Sequence, residues 1–275
     1  MAYSIFAFQE DEDRSGVLSQ LAPVSDPIAS TTSTELKLSS MITPHIAWTY
    51  WKVDALTHAI LETKLTAPSI AGQPIVQSFG DVTSSLTHPN WNHKPTMDLR
   101  NSPNSFEISS SDGIEAFGRD TDVGGEAARI MCAIGVTDGR PLLSTNSTPY
   151  AVDYVQRYTG FGANTADTYT NHDLSSLTKS SSIPDVPVMI VGSRLDDNDA
   201  NIFRMVYPRG SSLRPGGIAC NAVTDQTPNI NFTTHGRTYL AVSEEPSLDV
   251  LSFSGSTPST LTLYLQRVAL KKKNI

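Results

Sequence analysis

The stretch HIAWTYWKVDALTHAILETKL, residues 45–65, decides how the chain is read. It opens on the aromatics Trp48, Tyr50 and Trp51. Then Trp51, Val53, Ala55, Thr57, Ala59 and Leu61 alternate with Lys52, Asp54, Leu56, His58, Ile60 and Glu62. Period-two alternation of β-branched and aromatic residues predicts a strand with one face on a core. Ala55, Leu56, Ala59 and Ile60 also fall at helical spacing, so a helix is the competing reading. Entry through Thr43-Pro44, exit through Thr66-Ala67-Pro68 and the strand-like remainder of the chain favour the strand. Nothing in the stretch carries a catalytic signature.

Working outward, Glu35 to Ile42 alternates and predicts a strand before it, and Ile75 to Phe79, Thr96 to Leu99 and Ser105 to Ser109 predict short strands in a proline-punctuated region. EAARIMCAIGV, Glu126 to Val136, is almost continuously apolar and is closed by Thr137-Asp138-Gly139, which predicts a strand buried on both faces, with a short helix as the competing reading. Ala151 to Tyr158 alternates again. Val186 to Gly192 and Asn201 to Tyr207 flank the acidic turn Arg194 to Asp199 and read as a hairpin. Ile218 to Val223, Asn229 to Thr233, Thr238 to Val242, Leu248 to Phe253 and Leu261 to Leu270 complete the strands. With no amphipathic helix of three turns and no internal sequence repeat, an all-β sandwich is the fold class. Val53, Ile134, Ile190 and Leu263 are its expected core residues.

Residues 1–34 have no sustained period. They hold a short aromatic patch (Tyr3, Phe6, Phe8), the acids Glu10 to Asp13, and a Ser/Thr/Pro/Ala-rich span, and they are expected to form an extended arm that docks on a neighbour. The shell of the fold is then residues 35–270, followed by a basic tail, 271–275.

Hydrophobic content of 39% supports a real core, and a net charge of −8 argues against a surface that grips nucleic acid along its length. Cys132 and Cys220 lie in apolar surroundings and read as buried free thiols. No apolar run is long enough to span a membrane, and the N-terminus has acids where a signal peptide carries bases, so a cytoplasmic product is expected.

The templates for chemistry fail in turn: there is no G-x-S-x-G, H-E-x-x-H, C-x-x-C or Walker loop. Gly160-Phe161-Gly162 reads as a loop, and Asp120-Thr121-Asp122 as a turn. His88 and His93 flank Trp91 without the further ligands a metal needs. Tyr150, Tyr154 and Tyr158 recur at period-two spacing and read as core packing. Asp196, Asp197 and Asp199, with Asn198, gather hard oxygen donors at one tip. They read as a solvated turn, with no cofactor. The alternative makes them candidate metal ligands, for Ca²⁺ shared with a neighbouring subunit, since one tip cannot supply the roughly six to eight oxygens calcium takes. Lys271, Lys272 and Lys273 are the candidate contact to nucleic acid or anionic lipid.

An irregular Ser/Thr/Pro-rich N-terminal segment, the aromatic-led strand YWKVDALTHAIL, and short strands with long loops up to STLTLYLQRVAL together resemble the jelly-roll capsid proteins of small icosahedral viruses. The acids Glu10 to Asp13 depart from the Arg-rich arm many of them carry. The resemblance implies a jelly-roll β-sandwich, a single roll first and a compact double roll as the alternative. It also implies a non-enzymatic coat protein, made in a host cytoplasm, that self-associates in many copies into an icosahedral virion shell. A β-sandwich receptor- or carbohydrate-binding module of a phage or virus is the alternative function.

Overall fold

A computed structural model describes residues 2–10, 17–54, 59–72, 74–82, 96–98, 106–120, 129–138, 152–181, 188–197, 200–207, 214, 216–219, 238–240 and 245–267. The protein is all-β, built on antiparallel strands, with only two short 3-10 turns among the described residues. In the N-terminal half the strands are β1 (Ala2–Gln9), β2 (Ser19–Pro23), the short pair β3 (Ser30–Thr31) and β4 (Leu36–Lys37), β5 (Pro44–Asp54), β6 (Ala59–Thr66), β7 (Ile75–Val82), β8 (Thr96–Asp98), β9 (Glu115–Asp120) and β10 (Arg129–Asp138). In the C-terminal half they are β11 (Tyr154–Thr159), β12 (Tyr169–Asp173), the short β13 (Thr178–Lys179), β14 (Val188–Asp196), β15 (Ala200–Val206), β16 (Gly216–Ile218), β17 (Thr238–Leu240), β18 (Ser247–Ser252) and β19 (Thr260–Arg267).

The N-terminal strands form one curled eight-stranded sheet in the order β7-β6-β9-β2-β1-β10-β5-β8. It closes around a core that includes Phe6, Phe8, Leu21, Ile46, Trp51, Leu65, Ile75, Ala116, Ile130, Cys132, Ile134 and Val136. The C-terminal strands form two sheets, β13-β11-β19-β14-β17 and β12-β18-β15-β16. These pack face to face around Tyr158, Val188, Ile190, Leu195, Phe203, Met205, Leu248, Val250, Leu261, Leu263 and Leu265. A third cluster joins the halves: Ile5, Ala7, Trp48, Tyr50, Met131 and Ala133 from β1, β5 and β10 meet Ile202, Leu251 and Phe253 from the far side of the β12-β18-β15-β16 sheet.

Side-chain parity explains this layering. On β10 the even residues Ile130, Cys132, Ile134 and Val136 enter the N-terminal core, while Met131 and Ala133 point to the joint. Both faces are therefore covered, and the expectation of a strand buried on both sides holds from Ile130 to Thr137.

The same strand order occurs twice. Setting aside β3, β4 and β13, which all fall between the second and third principal strands, each half has eight among the described residues. In chain order they lie 1-8-3-6 and 2-7-4-5: β1-β10-β5-β8 with β2-β9-β6-β7, and β11-β19-β14-β17 with β12-β18-β15-β16. In the N-terminal half the register Phe8↔Pro23 and Gln9↔Ala22 links the two sets into one curled sheet. A bulge repeats too. Pairing with β10 skips Ala47, and pairing of β14 with β19 skips Val191, in each case the fourth residue of its strand. The next pair matches an aromatic residue to a glycine in both, Trp48↔Gly135 and Gly192↔Tyr264. At Gly135 a Cβ would lie 2.3 Å from the Trp48 ring, so the indole occupies the space that only glycine leaves.

Several expectations are corrected. Residues 2–9 are no arm: β1 lies inside the sheet between β2 and β10, and Ile5, Phe6, Ala7 and Phe8 are buried. A run of four consecutive apolar residues, Ile5 to Phe8, carried that strand signal. The hairpin between Val186–Gly192 and Asn201–Tyr207 does not form. β14 pairs with β17 and β19 and β15 with β16 and β18, because the turn carries the chain from one sheet to the other and both strands face one core. Stretch 45–65 divides into β5 and β6, and residues 55–58 lie outside the described ones. Ser105–Ser109 supplies only an isolated bridge at Glu107. Strands β9 and β12 were not expected. Ile134, Ile190, Leu263 and Tyr158 are fully buried and Tyr154 packs at the core's edge; the Val53 side chain, Tyr150 and Asn229–Thr233 lie outside the described residues.

Candidate functional site

The most elaborated polar site lies in the joint between the halves. Arg204 stands on β15 between Phe203 and Met205, which face the C-terminal core, so its side chain turns to the opposite face. It is 0% exposed. Nη1 donates to Asp26, in the loop after β2, and to the carbonyl of Ile5 on β1 at 3.1 Å. Nε donates to Asp249 on β18 at 3.1 Å, the residue paired with Arg204 in register. The guanidinium carbon lies 3.7 Å from the centre of the Tyr169 ring, a stacked cation–π contact. Burial works against the charge, and Tyr169, Asp26 and Asp249 outweigh it, so the guanidinium is held above its ordinary value. Arg214 goes the other way, lowered by burial and then by Arg204. Its amide donates to Ser4 Oγ at 3.0 Å and its carbonyl accepts from Ile5 at 3.2 Å.

A second tie lies beside it. Arg129 on β10 binds Asp167 and donates to the Phe253 carbonyl at 2.8 Å, with its guanidinium 5.1 Å from that ring's centre. Gln9 also donates to Asp167. Asp167 has φ of 63°, a left-handed conformation that aspartate tolerates better than most residues, and this turn presents its carboxylate to the N-terminal half.

At the acidic tip the two described carboxylates, Asp196 and Asp197, have separate partners. Asp196 accepts from Arg194 Nε at 2.5 Å, and its carbonyl accepts from Ser259. Asp197 is buried and accepts from Asn164 Nδ2 at 3.1 Å, while Asn164 Oδ1 meets His172 Nε2 at 2.9 Å. Burial lowers the His172 pKa against the opposing pull of Asp197 and Asp249, and Phe161 meets the ring edge-on. The two carboxylates thus serve different partners. Asp199 and Lys271 to Lys273 lie outside the described residues, as do His88, His93 and Cys220. Cys132 is a buried free thiol, as expected, and burial pushes its pKa well up. Among the described residues no group of three or more His, Cys, Asp or Glu is placed to hold a metal, and no helix is long and apolar enough to cross a membrane.

Among the described residues the joint pairs buried charges across the two halves, and so fastens two bodies. The sequence held a signal for it: Arg204 and Asp249 each interrupt an apolar strand, between Phe203 and Met205 and between Leu248 and Val250. Opposite charges inside apolar strands point to a buried pair. Asp26, in an irregular Ser/Pro-rich span, gave none. No protein-family model matches the chain, and no curated protein matches it either.

Proposed function

We propose that the chain is a structural, non-enzymatic coat subunit that self-associates in many copies into the shell of a virion. The observation that carries the reading is the repeated strand order. Pairs 1·8, 2·7, 3·6 and 4·5 are those of a long antiparallel hairpin, and wrapping it so that 8 meets 3 and 7 meets 4 gives a jelly roll. On this reading residues 2–138 and 152–267 are two compact rolls, the double-roll alternative, and not one roll of residues 35–270.

A catalytic chain concentrates titratable groups in an open cleft. Here the strongest clusters, around Arg204 and around His172, are closed and spent on internal pairs. Among the described residues the sheet faces at the two ends of the stack carry the exposed apolar side chains Val155 and Val76, which suits a subunit whose work is association. Lys271, Lys272 and Lys273 follow β19 and are assigned to the inner surface, against genome or anionic lipid.

The test is size-exclusion chromatography with light scattering and negative-stain microscopy of the purified chain. Closed, uniform shells are expected. A monodisperse monomer or compact trimer that binds glycans would replace this reading with the receptor-binding module.

A further inference from the structure

The halves stack in one direction. The outer face of β1-β10-β5-β8 lies on the outer face of β12-β18-β15-β16, and among the described residues the face of each kind at the two ends carries exposed side chains, Val155 and Val76. We propose that these two end faces, the outer face of β11-β19-β14 and the outer face of β6-β9-β7, bind each other between copies of this chain, so that copies add head to tail with the geometry of the internal joint. The proposal deepens the shell reading by naming the surfaces that meet, and it rests on that reading only for the closure of the assembly.

Register fixes which residues correspond. Gly135 opposite Trp48 and Tyr264 opposite Gly192 follow the matching bulges. Their partners on β1 and β11 are Ile5 and Val155, and one pleat further on the same face are Ala7 and Arg157. In the N-terminal half Ile5 and Ala7 are covered by the other half. In the C-terminal half Val155 is 43% exposed beside a half-buried Tyr264, with Arg157 exposed and Arg194 two strands across from it. An exposed apolar residue amid tyrosine and arginine is the composition of an interface core, and it stands out on a chain of net charge −8.

The other end face corresponds to the surface that carries Arg204. The outward pairs of β15 and β18 are Ile202↔Leu251, Arg204↔Asp249 and Val206↔Ser247, and those of β6 and β9 are Glu62↔Arg119, Lys64↔Phe117 and Thr66↔Glu115. Lys64 takes the middle place that Arg204 holds. Its ammonium lies 5.2 Å from the centre of the half-buried Phe117 ring, and Val76, paired with it on β7, is 64% exposed. Glu115 borders this strip and complements Arg157, while Glu62 is paired with Arg119 and Arg194 with Asp196 inside the chain. In the internal joint Arg204 reaches the backbone of Ile5, so in the external one Lys64 comes over Val155, the counterpart of Ile5.

A head-to-tail contact between unlike faces does not close on itself in a pair, so it builds chains or rings. The experiment is the double variant Lys64→Cys/Val155→Cys in the full chain, oxidised with copper phenanthroline under assembly conditions and run on a non-reducing gel. Both positions lie on the surface, and unchanged melting confirms the fold. A reducible ladder of multimers longer than dimers, absent from either single variant, is the expected result. Assembly without a ladder overturns the proposal, and so does efficient dimerisation of Val155→Cys alone, which would mean that like faces meet. Shells without a ladder refute only this contact, whereas a ladder in open filaments refutes the closed shell and leaves the contact standing.

Discussion

Replacing Arg204 with methionine is expected to cost about 3–5 kcal/mol of stability, the usual consequence of removing one partner from a buried ion pair. Asp26, with a side chain 1% exposed, would lose the charge beside it, and Asp249, at 11%, would keep only Asn171 among the described contacts. The Ile5 carbonyl would lose a donor and Tyr169 its stacked cation. Against a typical total of about 5–15 kcal/mol this is a large fraction. Urea unfolding followed by tryptophan fluorescence measures it, with Trp48 in the joint and Trp51 in the N-terminal core as reporters. Arg204→Met/Asp26→Asn/Asp249→Asn, which removes all three charges, should recover part of the loss. A single Arg204→Met within about 1 kcal/mol of the parent at neutral pH would refute the view that this cluster fastens the halves.

Four further outcomes are expected. Deleting residues 1–10 should abolish soluble folding, because Ile5, Phe6, Ala7 and Phe8 are buried and each large side chain contributes about 1.5–3 kcal/mol; a cooperatively melting truncation on circular dichroism would contradict the placement of β1. His172 and His45 have pKa values lowered by burial, so the unfolded chain binds more protons as pH falls through about 6.5, and stability should drop there and level off below the folded-state values; His172→Asn should flatten that slope in thermal melts. Calcium should leave the melting temperature unchanged, since Asp196 and Asp197 are held by Arg194 and Asn164; an upward shift reversed by EDTA would restore the tip as a cation site. Replacing Lys271, Lys272 and Lys273 with Gln should lower co-purified nucleic acid or lipid and reduce the salt slope of nucleic-acid binding by up to about 0.9 per lysine; unchanged cargo would make the tail a solubility device.

How far the sequence reveals the fold depends on which faces neighbours cover. β10 and β19 are long, apolar and bounded by turn residues, and their existence was legible. β1 was hidden because its partner is more than a hundred residues away and its acidic successor, Glu10 to Asp13, suggests a tail. The false hairpin has a similar cause: two apolar strands around a short turn look alike whether they pair in one sheet or face each other across a core. The duplication left no sequence repeat because equivalent positions face different surroundings. Ala7 is covered where Arg157 is exposed, and Glu62↔Arg119 is a surface ion pair where Ile202↔Leu251 is buried. What survives is backbone, the bulge and its glycine–aromatic pair. At the tip, the run of acids was visible, but the partners Arg194 and Asn164 that separate the carboxylates are set by tertiary placement.

Cryo-electron microscopy of the assembled protein decides whether each chain is a stack of two like rolls serving as a shell subunit. Closed particles are expected in which every chain contributes four stacked sheet layers, with residues 2–138 and 152–267 each wrapped 1-8-3-6 over 2-7-4-5. Particles built from one roll per chain, or a chain that stays monomeric at every concentration and salt, would contradict that expectation.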